Sequence, residues 1–141
     1  QTTADFLVVQ NEYIQQATEL SILNLMLQPI AKEQLILQLK NILLNPPNFL
    51  ILQGFGTGNI AVNDEILMLF EQLYQKKCLP IISTQVTFGQ LDQRYAVSSW
   101  IQSAKVLIND CHSHADLYAK VLQIYLKYPS HEQWFANWHQ H

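Results

Sequence analysis

Apolar positions fall into short runs separated by longer segments of helical period. The run Ser21 to Leu27 (SILNLML) is apolar and is closed by Gln28-Pro29, where proline cannot join a ladder and turns its predecessor away from helix, which predicts a first strand. From Ala31 to Leu44, Leu35, Leu39, Ile42 and Leu43 recur at i, i+4, i+7 and i+8, with Lys32, Glu33, Gln34 and Lys40 largely opposite them. That is the pattern of a helix with one buried face, and Pro46-Pro47 stops it. Phe49 to Gln53 (FLILQ) reads as a buried strand, and Gly54, Gly56 and Gly58 turn the chain toward a second helix. Asn63 is its expected N-cap, Asp64 and Glu65 place negative charge in its first turn, and Ile66, Leu69, Phe70 and Leu73 form its buried stripe.

The same alternation continues to the end of the chain. Leu79 to Thr84 (LPIIST) is the third strand, with Pro80 tolerable only near its start. A loop from Gln85 to Arg94 leads to a short helix near Tyr95 to Ser103, and Lys105 to Ile108 is the fourth strand. Ser113 with Asp116, and Ser130 with Gln133, have capping-box spacing ahead of two final helices. The first carries Leu117, Val121, Ile124 and Tyr125; the second carries Trp134, Phe135 and Trp138, which pack as core in preference to forming an interface patch. Strands alternating with helices, each strand almost continuously apolar, predict a parallel sheet covered on both faces. The expected fold is a three-layer α/β domain, a four-stranded parallel sheet flanked by helices in the Rossmann-like or flavodoxin-like manner. Residues 19–141 would form this domain, and residues 1–18, which show no clear period, a linker or an arriving strand.

Composition narrows the function classes. In 141 residues the apolar share is 49%, the charged share 13% and the net charge −3, so the chain can bury a core and has no basic footprint for nucleic acid. The longest apolar region, Leu35 to Phe55, is interrupted by Lys40, Asn41 and Pro46-Pro47, short of the roughly 20 apolar residues a membrane span needs. Two cysteines, Cys78 and Cys111, are too few for a disulfide framework and leave only a single bridge open. With no basic, apolar leader at the N-terminus, a cytoplasmic location is expected. The absence of an initiating Met suggests a processed or excised piece.

Ligands of an open parallel sheet bind beyond the carboxyl ends of its strands, here near Gln28 to Ile30, Gln53 to Asn63, Gln85 to Arg94 and Asn109 to Ser113. The turn Gly54-Phe55-Gly56-Thr57-Gly58-Asn59 is neither a dinucleotide fingerprint nor a P-loop. By itself it reads first as a tight strand-to-helix turn and only second as a cradle for a carboxylate or phosphate. Cys111-His112-Ser113-His114 offers metal-ligand types, but His131, His139 and His141 lie in a separate terminal segment, and no metal is expected. Asp92, Asp110 and Asp116 read as loop and cap residues, and Ser83-Thr84-Gln85 as a strand end able to touch a ligand or to satisfy backbone. Thr2 and Thr3 follow Gln1, so neither is an N-terminal nucleophile.

The run from Leu50 to Val97 resembles the C-terminal domain of the bacterial asparaginase/glutaminase family. The shared features are an apolar strand, a glycine turn ending in Asn59, a helix, a strand closing on Thr84-Gln85, then Gly89 and Tyr95. The likeness extends more faintly from Ser21 to about Leu126, and the cytosolic branch is the nearer match. The resemblance implies hydrolysis of asparagine, or of glutamine, by a threonine held in a larger N-terminal domain marked by TGGT and TDT. Neither signature occurs here, so no catalytic residue and no cofactor is assigned to this chain. Substrate contact falls to Asn59, with Thr57 and Gly58, and the whole protein would be a homodimer or homotetramer with the small amide as its partner. The cytosolic branch builds an effector site from an arginine before the glycines and a cysteine after Thr-Gln; Gln53 and Val86 stand there in this chain. The competing expectation is a free-standing, non-catalytic small-ligand module of the same fold.

Overall fold

A computed structural model of the chain describes residues 18–27, 32–54, 64–84, 104–109, 111 and 113–140. Four strands, β1 (Ile22–Leu27), β2 (Phe49–Gly54), β3 (Leu79–Thr84) and β4 (Leu107–Ile108), pair in that order, every pair parallel. The helices among the described residues are α1 (Lys32–Leu44), α2 (Asp64–Gln75), α3 (His114–Lys127) and α4 (His131–Asn137), the last continued by one 3₁₀ turn over Trp138–Gln140. This is the expected three-layer α/β fold. The expected cap Asn63, the helix near Tyr95 to Ser103 and nearly all of the N-terminal segment lie outside the described residues.

Alternation along the strands sends side chains to opposite faces. Leu50, Leu52, Ile82 and Val106 meet Leu35, Ile36, Leu39 and Leu43 of α1 and Ile66, Leu69, Phe70 and Leu73 of α2. Phe49, Ile51, Leu79, Ile81 and Leu107 meet Leu117, Val121 and Ile124 of α3 and Trp134 and Trp138 of α4. The strand order explains this division. Each right-handed crossover advances the sheet in the same direction, so α1 and α2 fall on one face. The other face is left for the two helices that follow the last strand.

The stripe expected for α2 is buried in full, and α1 buries Ile36 in addition to Leu35, Leu39 and Leu43 while Ile42 is half-buried. Trp134 and Trp138 are core residues, as expected. The fourth strand is shorter than the expected Lys105 to Ile108, because Lys105 has φ 57°, a left-handed conformation that no strand accommodates. Pro80 lies one residue into β3, which is an inner strand. Leu79 N–H bonds Asn48 O on the β2 side at 2.9 Å, so the next residue faces β4, and pairing with β4 begins only at Ile81. The missing proline N–H therefore falls where no strand partner has started. Cys78 packs on the α1/α2 face and Cys111 on the α3/α4 face, and both are free thiols. The sheet stands between them, so no bridge joins them. No helix of the described residues is long and apolar enough to cross a membrane.

Candidate functional site

The α3 side of the sheet changes from apolar to polar in a single step at the carboxyl ends of the strands. Ile51, Ile81 and Leu107 are buried; two residues further along the same face stand Gln53, Ser83 and Asn109. Gln53 and Ser83 are register partners, and Asn109 follows the β3–β4 pairing of Ile82 with Ile108. Asn109 ties this row together: its backbone N–H donates to Ile82 O at 2.8 Å and its side-chain Nδ2 to Ser83 Oγ at 2.9 Å, while its Oδ1 accepts from Cys111 N–H at 2.8 Å.

Helix α3 is held onto the row by its first turn. Ser113 is the N-cap and its Oγ accepts from Asp116 N–H at 3.1 Å, satisfying one of the donors a helix start leaves open. His114 sits against the Gln53 carboxamide, whose Nε2 meets Nε2 of the ring and lies 3.0 Å from Nδ1. One turn further on, the Tyr118 hydroxyl accepts from Asn24 Nδ2 of the edge strand β1. Amides, a hydroxyl and an imidazole from β2, β3, the residue after β4 and the first turn of α3 thus meet at the carboxyl edge, while the Asn24–Tyr118 bond lies two residues back, level with Ile51.

The chemistry this row can perform is recognition. Ser83 Oγ accepts from an amide donor, and among the described residues of the row no base hydrogen-bonds it as a nucleophile would require. Among the described residues no three His, Cys, Asp or Glu side chains come together in a way that could hold a metal ion. Cys111 packs against the α3/α4 core and His114 faces Gln53, which separates two of the ligand types that adjoin in sequence.

Thr57, Gly58 and Asn59 lie outside the described residues, as do Gln85, Gly89, Asp92 and Tyr95. The ends from which those segments depart are described. Gly54 closes β2, Thr84 closes β3, and the two are register partners. The glycine turn and the Thr-Gln segment, 30 positions apart in sequence, therefore begin side by side. Asn109 begins one of the loops expected at the ligand edge, but its tie to Ser83 was not legible, nor was the Asn24–Tyr118 bond, because each is an ordinary polar residue in its own segment. The available signal was a polar residue directly after the last apolar one of a strand run, repeated at 53, 83 and 109.

The strand order adds a constraint. A crevice at a carboxyl edge opens where the order of strands reverses, and β1-β2-β3-β4 advances without reversal. Among the described strands the edge is therefore a ledge rather than a cleft.

No protein-family model matches the chain, and no curated protein matches it. Among solved structures, the crystal structure of L-asparaginase I from Vibrio cholerae is similar, with a TM-score of 0.62 and 22% sequence identity over 85% of this chain and 35% of that one. The chain thus spans about a third of the length of that protein. The likeness at this identity is one of fold: the parallel-sheeted α/β architecture described above also occurs within an L-asparaginase.

Proposed function

We propose that this chain is the C-terminal domain of an asparaginase/glutaminase-type amidohydrolase, nearer the cytosolic type I branch, acting in the cytoplasm on asparagine plus water to give aspartate and ammonia. The threonine nucleophile belongs to a preceding domain. This domain contributes subunit contacts in a homodimer or homotetramer, and the substrate-side turn of Thr57, Gly58 and Asn59. The amide of Asn59 both donates and accepts, which suits the ammonium and carboxylate groups of an amino acid.

The observation that carries the reading is the register pairing of Gly54 with Thr84. It sets the first residues of the two family-like motifs next to each other at the ligand edge of a parallel sheet. A ledge without a switch-point crevice agrees with a pocket completed by other polypeptide. The similarity to part of an L-asparaginase supports the same assignment.

The test is Asn59→Ala in the full-length protein. Removing a side chain that hydrogen-bonds substrate costs about 1–3 kcal/mol, so kcat/KM for asparagine should fall about fivefold or more. An unchanged kcat/KM would remove Asn59 from the substrate site.

A further inference from the structure

The sheet ends in two unlike edges. β4 is two residues long, whereas β1 presents six, Ile22–Leu27, among which no Lys, Arg, Asp, Glu or Pro occurs. Phe49 N–H donates to Ser21 O at 3.2 Å, so the bonds to β2 fall on Ser21, Leu23 and Leu25, and the N–H and C=O groups of Ile22, Asn24 and Met26 point away from the sheet. Among the described residues no strand meets them. Leu23 and Met26 of this edge are exposed, and so is Leu122 of α3, one turn beyond the Tyr118 that Asn24 reaches. Sheet edges are commonly protected by a charge, a proline or a very short strand, and β1 has none of these. Its open row of alternating donors and acceptors is matched by another extended strand.

Handedness and register narrow the occupant. Leu20, which leads into β1, packs with the α3/α4 layer, and Glu19 lines a cleft with Tyr125 and Trp134 on that same side. A right-handed crossover from a fifth parallel strand beyond β1 would enter from the α1/α2 side instead, as the crossovers through α1 and α2 do. The chain leading into β1 therefore does not come from a parallel neighbour at this edge. A second copy fits it. Two copies related by a two-fold axis normal to the sheet run β1 antiparallel to β1, and opposing residues must then share a face. An axis at Asn24 meets that condition and is the one position that uses all three open residues. Ile22 then opposes Met26 of the partner, Asn24 opposes Asn24, and Met26 opposes Ile22, each pair exchanging both backbone bonds. On the α1/α2 face Leu23 opposes Leu25. With no charged residue in the strand, like charges meet nowhere along the seam.

We propose that β1 is a dimerisation edge: two copies of the chain join antiparallel through Ile22–Leu27 about an axis at Asn24, making one sheet continuous across both. This specifies a subunit contact of the homo-oligomer under the proposed function, but it rests on the strand edge and not on the amidohydrolase reading. Association is read without asparagine, so its failure and a failure of hydrolysis are separate results.

The experiment is sedimentation equilibrium of the full chain at low ionic strength, alongside Asn24→Lys and Asn24→Asp. Asn24 is exposed, so the variants keep the fold, and far-UV circular dichroism verifies that. The unsubstituted chain should dimerise reversibly. Each variant sets like charges directly opposite one another and should dimerise about fivefold more weakly or worse, whereas an equimolar mixture of the two should associate more tightly than either alone, because lysine then faces aspartate. Asn24→Cys reads the same contact without a charge: hydrogen-bonded antiparallel partners stand about 5.5 Å apart at Cα, within disulfide reach, so mild oxidation should yield a cross-linked dimer that the unsubstituted chain does not form. The proposal is overturned if the unsubstituted chain is monomeric, if either charged variant self-associates like it, if mixing restores nothing, or if Asn24→Cys fails to cross-link.

Discussion

Lys77 stands at φ 67°, directly after α2, where the chain closes the helix with two reversed bonds: Cys78 N–H to Leu73 O at 2.9 Å and Lys77 N–H to Tyr74 O at 2.9 Å. This is the paired bonding that ends many helices, and it favours glycine at the left-handed residue because a Cβ is strained there. Lys77→Gly should therefore raise stability by about 1 kcal/mol, read as a higher urea midpoint with an unchanged m-value. Next to it, burial pushes the Cys78 thiol from its ordinary value of 9.0 up to about 12. The unfolded chain loses this proton above about pH 9 and the folded chain retains it, so stability present below pH 9 is lost as pH rises toward 12. Cys78→Ala should flatten that alkaline loss while lowering stability near neutrality through the small cavity it leaves; an equally steep decline in the variant would assign the loss to other groups. Sequence reasoning named both cysteines but left a bridge between them open. Only the separation of their segments onto opposite faces of the sheet decides the matter, and residue spacing does not contain it.

At the scale of elements, the helices end by means that differ in how visible they are. The starts of α3 and α4 were written locally: Ser113 Oγ accepts from Asp116 N–H, and Ser130 Oγ from Gln133 N–H at 3.4 Å, each within four residues. The end of α1 was placed by Pro46-Pro47, but what satisfies its last carbonyls was not. Its last turn has no basic residue, and the carbonyl of Leu43 is met by Lys76 Nζ at 2.8 Å, from the turn that follows α2 and 33 positions away. Lys76→Met keeps most of the aliphatic stem and removes this bond and the cation at a negative helix pole. It should cost roughly 0.5–1 kcal/mol, with the loss diminished in high salt. By contrast, the exposed Lys40–Glu65 pair at 3.3 Å should matter little, as half-exposed ion pairs do. The strands show the same contrast. Apolar runs located β1, β2 and β3 to within a residue, whereas β4 lost its first two residues to the left-handed turn at Lys105, a conformation that lysine does not advertise. The polar row was legible only in pieces: Gln53, Ser83 and Asn109 each stand at an expected strand end, and only register joins them.

For the molecule as a whole, the sheet has its own helices on both faces and two dense apolar layers, so this chain contains the core required to fold by itself. What its described part does not contain is a crevice at the carboxyl edge, because the strand order never reverses. Under the proposed function, the chain would bear part of an active site whose hydrolytic nucleophile another domain supplies. The most direct test is ammonia release from asparagine, measured side by side for this chain and for the full-length protein that carries it. The account predicts release by the full-length protein and none above the uncatalysed background by the chain alone. Hydrolysis by the isolated chain, or a full-length protein inert toward both asparagine and glutamine, would contradict it.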